Sequence, residues 1–342
     1  MKKVEQYTAK KQGKIMLNAN EMYCDVATHI RQELINRLET LPFHRYPDET
    51  SHDLIQAYAS VINKDSACIL AGNGSDEMLG FMIGTYLGKG KTLVTLKPDF
   101  SMYDYYCAVQ EATVKKYETN EDGSFDMTAF VSYAKQQRAD MILFSNPNNP
   151  TGHAVSNQEL IQLVEACADI PVIVDEAYGE FAKESMLDHI GEYDNLFVTR
   201  TLSKAYGLAG ARLGFLIGKQ EVIQQLRPTI VPYNISVFDQ LVGEVVLQYA
   251  AEYQDKIAFI KQERDAMYEQ FKQAKAFTLY PSQANYLYGR CPQKEAMFAL
   301  FEEAGIVLRT YKDDTFRITI GSKEENALVS SILTKFDQEG SL

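Results

Sequence analysis

The middle of the chain alternates short apolar runs with stretches that have the periodicity of amphipathic helices. The runs are rich in β-branched and aliphatic residues and end at turn or polar residues, a pattern typical of strands buried on both faces. They occupy residues 67–71, 92–96, 141–144, 171–174, 196–199 and 212–217. Strands that alternate with helices predict an α/β fold, with a mostly parallel sheet sandwiched by helices.

The second half of the chain predicts a different, smaller unit. A helical pattern without proline runs from Val237 to about Lys275 and favours a helix that bridges two domains. Shorter strand and helix patterns follow it and predict a small α+β domain. We therefore predict an N-terminal arm at residues 1–40 that packs with the small domain or a partner subunit, a large domain at 41–245 and the small domain at 246–342.

Charge and cysteine usage disfavour several classes of protein. The formal net charge is −12 at pH 7 and no segment concentrates lysine or arginine, which argues against nucleic-acid binding. The first ten residues lack the apolar core of a signal peptide, and no apolar run is long enough to span a bilayer. The five cysteines are widely spaced and form no C-x-x-C pair, and the histidines have no ligand spacing. We expect a cytoplasmic protein without disulfides or a metal site.

Three successive predicted strands each lead to a distinctive polar residue. Asn149 follows the first, Asp175 ends the second and Lys204 follows the third. Ligands of open α/β sheets bind beyond the carboxyl ends of the strands, so these side chains are expected to share one site.

Pyridoxal phosphate requires this combination of residue types. A lysine amine forms a Schiff base with the cofactor aldehyde and later transfers protons. A carboxylate facing the pyridine nitrogen keeps that nitrogen protonated. We therefore assign Lys204 as the catalytic lysine and Asp175 as the partner of the pyridine nitrogen. Asn149 and Tyr178 suit the phenolic oxygen of the ring.

The cofactor phosphate needs hydrogen-bond donors, best supplied at the N-terminus of a helix. One candidate group follows a predicted strand and opens a helix, and a second lies close to the lysine in sequence. The candidates are Gly74, Ser75, Asp76, Thr201, Ser203 and Arg212.

The residues around these positions resemble the motifs of a known family. Residues 203–214 read SKAYGLAGARLG and are similar to the lysine signature of the aspartate aminotransferase superfamily of fold type I. Residues 146–152 (NPNNPTG) and 175–178 (DEAY) resemble its other two motifs, in the same order. Residues 17–21 (LNANE), 44–48 (HRYPD), 74–77 (GSDE), 307–309 (VLR) and 316–321 (FRITIG) resemble histidinol-phosphate aminotransferases more specifically. The resemblance covers residues 15–325.

This resemblance implies further roles. Tyr46 is expected to reach the cofactor phosphate of the neighbouring subunit in a homodimer with shared active sites. Phe100 is expected to stack on the cofactor ring. Arg317 is expected to bind the α-carboxylate of an amino acid, and Arg309 a distal phosphate or γ-carboxylate. Tyr23 is expected to contribute to binding of the substrate phosphate.

The resemblance also implies a reaction, and two departures affect it. We expect transamination between histidinol phosphate and 2-oxoglutarate, with an aromatic amino acid as the next choice of donor. The family usually reads N-E-N-P-Y where this chain has N-E-M-Y-C at residues 20–24, so the tyrosine is displaced by one position. The stacking residue is phenylalanine where tyrosine is common.

Other functions fit the sequence less well. Residues 72–77 read GNGSDE and lack the third glycine of a dinucleotide-binding loop, and no P-loop motif is present. A transcription regulator built on this fold would carry an additional DNA-binding domain. A decarboxylase, such as a threonine-phosphate decarboxylase, shares the core motifs and stays open as an alternative.

Overall fold

The computed structural model describes residues 13–339 of the 342-residue chain, so the first twelve residues of the predicted arm lie outside the described part. Its strands are β1 Ile15–Leu17, β2 Ile69–Asn73, β3 Thr92–Lys97, β4 Thr113–Glu118, β5 Met141–Ser145, β6 Val172–Asp175, β7 Leu196–Thr201, β8 Leu213–Gly218, β9 Thr278–Leu279, β10 Tyr286–Arg290, β11 Ile306–Thr310 and β12 Thr315–Thr319. Its α-helices are α1 Thr28–Leu38, α2 His52–Ile62, α3 Gly74–Tyr86, α4 Met102–Val109, α5 Met127–Gln136, α6 Asn157–Ala166, α7 Gln220–Leu226, α8 Val237–Gln248, α9 Tyr253–Phe271, α10 Lys294–Glu303 and α11 Lys323–Glu339.

Seven strands form the larger sheet, in the order β2-β8-β7-β6-β5-β3-β4. Strands β3 to β7 pair in parallel, while β8 runs antiparallel to β7 and β2. Every residue of β5 to β8 is buried. Ile142 and Phe144 belong to one hydrophobic cluster and Leu143 to a second, so both faces of the sheet are covered. The predicted sandwich with a mostly parallel sheet is confirmed.

The edge strand β4 is a strand that the apolar pattern did not indicate. Its sequence, TVKKYE, is largely polar, and none of its residues is fully buried. Within residues 13–339 it pairs with β3 alone, and its other edge carries no further strand of that part of the chain. Charged side chains are common on such edges because they discourage pairing with other chains.

The prediction of one continuous helix from Val237 to Lys275 was wrong. Two α-helices, α8 and α9, are joined by a 3₁₀ turn at residues 250–252. Leu247 and Tyr253 are both buried. In one continuous α-helix these residues would lie about 120° apart around the axis. The tighter turn brings both side chains into the core.

The smaller sheet combines the two ends of the described chain. Its order is β1-β11-β12-β10-β9, and β1 pairs in parallel with β11. Arg309 of β11 lies opposite Arg317 of β12 in the antiparallel pairing. The N-terminal segment is therefore held against the C-terminal part of the chain. The domain boundaries at residues 40 and 245 stay a prediction.

A buried ion network lies beside the end of β7. The Arg200 guanidinium contacts Glu176 at 2.8 Å and Glu180 at 2.9 Å, and it donates to the Ser185 hydroxyl at 2.8 Å. A Cβ atom on Gly179 would lie 2.5 Å from the Arg200 Cζ atom, so the network leaves no room for a side chain there. Removing the cation would leave two buried carboxylates without their charge partner.

We expect Arg200→Leu to destabilise the protein by about 3–5 kcal/mol, because breaking a buried ion pair from one side is that costly. Thermal unfolding followed by circular dichroism should show a midpoint several degrees below that of the unmodified protein. Arg31→Leu is the matched control, since the Arg31–Asp25 pair is exposed and should contribute about 1 kcal/mol or less. Equal effects of the two substitutions would contradict this account of the core.

Candidate active site

The carboxyl ends of three parallel strands bring the predicted residues to one edge of the larger sheet. Ser145 of β5 is in register with Asp175 of β6, and Asp175 is in register with Thr199 of β7. Asn149 lies four residues beyond Ser145, and Lys204 lies three residues beyond the end of β7. The strand pairing therefore brings Asn149, Asp175 and Lys204 to one edge of the larger sheet, as expected from the sequence.

The Asp175 carboxylate is buried and is held by neutral donors. Tyr103 donates to it at 2.8 Å and Thr199 at 2.9 Å, and the backbone amide of Ala177 lies 3.3 Å away. Burial raises the pKa of Asp175 to about 6, while the bonds from Tyr103 and Thr199 oppose that rise. A carboxylate in this setting is well suited to a cationic ligand.

Lys204 is half-buried in the loop after β7. Its Nζ atom donates to the carbonyl of Ala19 at 2.8 Å and lies 5.9 Å from the centre of the Tyr178 ring. Burial, and then the charge of Arg317, lowers the pKa of Lys204 to about 8. Much more of this amine is therefore neutral and nucleophilic near neutral pH than for an exposed lysine.

Asn149 and Tyr178 extend from the same edge toward the smaller sheet. The side-chain oxygen of Asn149 accepts from Arg317 at 2.5 Å. The Tyr178 hydroxyl accepts from the side-chain amide of Asn20 at 2.9 Å. The site is thus built jointly by the larger sheet, β12 and the N-terminal segment.

The N-terminus of α3 and the loop before β8 form a cup beside Lys204. Gly74 has a φ of +75°, and a Cβ atom there would lie 2.9 Å from the Arg212 guanidinium. A Cβ atom on Gly214 would lie 2.1 Å from the amide nitrogen of Ser75. Arg212 pairs with Asp76 at 2.8 Å. The cup combines backbone amides at a helix N-terminus with a guanidinium, which suits a phosphate.

Thr201 and Ser203 lie close together and buried at the base of the loop that carries Lys204. The Thr201 and Ser203 hydroxyls are 2.9 Å apart, and Thr201 Oγ1 also lies 3.1 Å from the carbonyl of Leu213. These bonds fix the loop and leave a hydroxyl pair near the cup.

Two arginines of the smaller sheet, Arg309 of β11 and Arg317 of β12, lie on one side of the site. Arg317 is buried, donates to the carbonyl of Asn18 at 2.9 Å and lies 4.9 Å from the centre of the Tyr286 ring. Arg309 is half-buried and lies over the Tyr311 ring at 5.6 Å. Arginines at paired positions of neighbouring strands are chemically suited to an anion with two acidic groups.

The remaining predicted residues differ in how closely they approach this centre. Phe100 is half-buried and packs edge-on against Tyr103 at 5.7 Å, one contact away from Asp175. Tyr23 is half-buried against Phe259 at 5.0 Å, and burial raises the pKa of its hydroxyl. Tyr46 is 81% exposed and stacks on Tyr233 at the surface. The chain by itself does not bring Tyr46 into the site.

Several residues at the site were not predicted from the sequence. Asp99 is half-buried, and desolvation raises its pKa to about 7. Ser145 donates to Asp99 at 2.5 Å and accepts from the backbone amide of Asn149 at 2.8 Å. Tyr103 and Thr199 hold Asp175, as described above. Thr199 could have been predicted as a site residue because it ends a predicted strand. Tyr103 could not, because it lies 72 residues from Asp175 in the sequence.

Comparison with known proteins agrees with this arrangement. Residues 12–332 match the family model described as aminotransferase class I and II. A histidinol-phosphate aminotransferase from Clostridium kluyveri is 34% identical over 325 residues, which cover 94% of this chain and 92% of that protein.

Two solved structures share the fold. A histidinol-phosphate aminotransferase from Sinorhizobium meliloti in complex with pyridoxal-5'-phosphate has a TM-score of 0.85 and 21% identity, covering 96% of this chain and 92% of that one. L-threonine-O-3-phosphate decarboxylase from Porphyromonas gingivalis has a TM-score of 0.80 and 20% identity, covering 95% and 99%. The family model and the Clostridium relative decide the assignment: the chain belongs to the aminotransferase class I and II family.

Proposed function

We propose that this protein is a pyridoxal-phosphate-dependent histidinol-phosphate aminotransferase. It would convert histidinol phosphate and 2-oxoglutarate to imidazole acetol phosphate and glutamate. The observation that carries the proposal is the arrangement of Lys204 and the buried Asp175 on one sheet edge, facing the paired Arg309 and Arg317. The Clostridium relative, which matches most of the chain, bears the name of this activity.

The residues fit the cofactor. Asp175 is a buried carboxylate whose hydrogen-bond donors within residues 13–339 are neutral, so a protonated pyridine nitrogen would supply the missing cation. The cup of Gly74, Ser75 and Arg212 suits the phosphate, with Asp76, Thr201 and Ser203 around it. Phe100 packs against Tyr103, next to Asp175, and this contact supports a role in covering one face of the ring. When bound, pyridoxal phosphate supplies an electron sink for the carbon that loses its proton.

Each side chain then has a defined task. Lys204 binds the cofactor covalently and afterwards moves a proton through its Nζ atom, and its lowered pKa favours the neutral amine that both tasks require. Asp175 holds the proton on the pyridine nitrogen. Asn149 and Tyr178 orient toward the phenolic oxygen of the ring. Arg317 binds the α-carboxylate of glutamate, and Arg309 binds the distal phosphate or γ-carboxylate.

The alternatives differ in what these arginines bind. An aromatic amino acid has no distal anion for Arg309. A threonine-phosphate decarboxylase would use the same core and release CO2, and the fold of the Porphyromonas decarboxylase is similar. Tyr23 is displaced by one position from the tyrosine of the family motif, and a direct comparison of donors tests its contact with the substrate phosphate.

The proposal includes a cytoplasmic homodimer. Around Tyr46 lies an exposed apolar patch formed by Phe43, Val231, Tyr233 and Phe238, of a kind that marks a protein interface. A second copy of the chain on this patch would bring Tyr46 to the cofactor phosphate of its partner. All five cysteines are free thiols, as suits a reducing compartment. No helix within residues 13–339 is long and apolar enough to cross a membrane.

A donor comparison tests the reaction. The purified protein with pyridoxal phosphate and 2-oxoglutarate is supplied with histidinol phosphate, phenylalanine or threonine phosphate, and glutamate and CO2 are measured separately. We expect glutamate from histidinol phosphate at the highest kcat/KM and no CO2 above the level of a Lys204→Ala blank. Release of CO2 from threonine phosphate without formation of glutamate would overturn the assignment.

The same assay tests the role of Arg309. Arg309→Leu should raise the KM for histidinol phosphate by about 10- to 100-fold, because a charge-assisted hydrogen bond is lost. The KM for unphosphorylated histidinol should change much less. Arg290→Leu, in strand β10 of the same sheet and paired with Asp314, is the matched control and should leave both values near those of the unmodified protein. An equal effect of Arg309→Leu on both substrates would refute the contact with phosphate.

Shared active sites can be tested by mixing two variants that are each impaired in a different residue of the site. Tyr46→Phe should weaken retention of pyridoxal phosphate on dialysis, because the hydroxyl contact with the phosphate is removed. Dimers that combine a Tyr46→Phe subunit with a Lys204→Ala subunit should regain one site with normal retention. Tyr105→Phe, at another exposed tyrosine, is the control. Full retention and activity in a monomer would exclude the shared site.

A further inference from the structure

Residues 18–20 form a short segment that crosses the site. Its third residue, Asn20, has no role in the proposed function described above. Asn20 is fully buried with a φ of +55°. Its neighbour Ala19 accepts from Lys204, and Asn18 accepts from Arg317 through its carbonyl. The carbonyl of Asn20 accepts from the Asn285 side chain at 3.0 Å. The backbone is therefore held by three separate donors, and the Asn20 side chain is left to act on Tyr178.

The contact between Asn20 and Tyr178 has a defined direction. The Nδ2 atom of Asn20 carries hydrogens and no accepting lone pair, so at 2.9 Å it must donate to the Tyr178 oxygen. The single hydroxyl proton of Tyr178 must then point elsewhere. Burial raises the pKa of Tyr178 to about 12, so the proton is present throughout the neutral range. Tyr178 is thereby made a donor to whatever lies on its open side.

Thr319 determines which end of the Asn20 amide faces the tyrosine. The Thr319 hydroxyl accepts from the backbone amide of Asn20 at 3.1 Å and donates to the Asn20 Oδ1 atom at 3.0 Å. If the amide were reversed, Oδ1 would accept the Tyr178 proton, and the buried Thr319 hydroxyl would lose its acceptor on Asn20. The threonine thus fixes Oδ1 toward β12 and Nδ2 toward Tyr178.

We propose that Asn20 and Thr319 are positioning residues that direct the hydroxyl proton of Tyr178 to the phenolic oxygen of the cofactor ring. This inference rests on the proposed function, because it requires pyridoxal phosphate at Lys204. The inference gives the N-terminal segment and β12 a role in the electronic state of the cofactor. The sequence motifs had indicated only residues of the larger sheet for that role.

The charged and titratable groups around Tyr178 in the described residues are Arg317, Asp175, Lys204, Tyr311 and Tyr286. None of them is altered by a substitution at Asn20 or Thr319. A change in the titration of the bound cofactor can therefore be traced to the hydrogen bonds of Tyr178 rather than to the loss of a native charge.

The test follows the visible absorption of the bound cofactor as a function of pH. A proton donated to the phenolic oxygen stabilises its negative charge and keeps the pH midpoint of the spectral change low. Tyr178→Phe should raise that midpoint by about one pH unit, the order of a lost hydrogen bond to a charged oxygen. Asn20→Asp should raise it similarly, because a carboxylate in that place accepts the Tyr178 proton. Asn20→Gly, which tolerates the positive φ, should give a smaller rise in the same direction.

Substitutions at Thr319 and Asn285 separate the direction of the hydrogen bond from the rigidity of the segment. Thr319→Val removes the hydroxyl and should raise the midpoint, while Thr319→Ser keeps it and should restore the value of the unmodified protein. Asn285→Ala loosens the same segment without touching Tyr178 and should leave the midpoint in place. Thermal unfolding of each apo variant shows how far the segment has been loosened.

A double substitution distinguishes a redirected proton from a simple charge effect. If Asn20→Asp acts through Tyr178, it should add nothing to the midpoint of Tyr178→Phe. Additive shifts, an unmoved midpoint in Asn20→Asp, or an equal shift in Asn285→Ala would each overturn the inference. A failure of the proposed function is distinguishable, because the unmodified protein would then show no visible band to titrate.

Discussion

The site depends on one buried carboxylate whose hydrogen-bond partners are neutral. Asp175 ends a strand with no exposed residue, and Tyr103 and Thr199 satisfy its oxygens without neutralising its charge. Burying a carboxylate in this way costs free energy that the fold must offset elsewhere. A cation that arrives with the cofactor would recover part of that cost, which links binding of the pyridine ring to the stability of the strand end.

The ion network beside this carboxylate explains why the strand end can tolerate it. Neighbouring residues of a strand point to opposite faces, so Thr199 holds Asp175 while Arg200 holds Glu176. On the second face Arg200 pairs with both carboxylates of the network, whereas the hydrogen bonds to Asp175 on the first face come from neutral groups. The network therefore holds the residue next to Asp175 without pairing with Asp175 itself.

The two sheets meet near Lys204. The segment at residues 18–20 accepts hydrogen bonds from Lys204 of the larger sheet and from Arg317 of the smaller one. Arg317 in turn bonds Asn149 at 2.5 Å. Movement of one sheet relative to the other would change the surroundings of the Lys204 amine and of the Arg317 guanidinium together. Under the proposed assignment, binding of substrate and chemistry at Lys204 would therefore be coupled.

The sequence predicted what depends on local pattern and could not predict what depends on distant pairing. Buried parallel strands occur in the sequence as apolar runs, and these runs located the strand ends near Asn149 and Asp175. Tyr103 and Asn20 reach their partners across 72 and 158 residues, and only the fold shows that they meet. The break between α8 and α9 could not be predicted, because residues 249–252 contain neither proline nor glycine.

The central claim is that Lys204 holds pyridoxal phosphate, and covalent trapping tests it most directly. The holoprotein is reduced with borohydride and digested, and the modified peptide is identified by mass spectrometry. The account predicts one pyridoxyl adduct, on Lys204, that is absent from Lys204→Ala and retained in Lys261→Ala, a variant of another half-buried lysine whose pKa is lowered by burial. An adduct on a different lysine, or an undiminished adduct in Lys204→Ala, would contradict it.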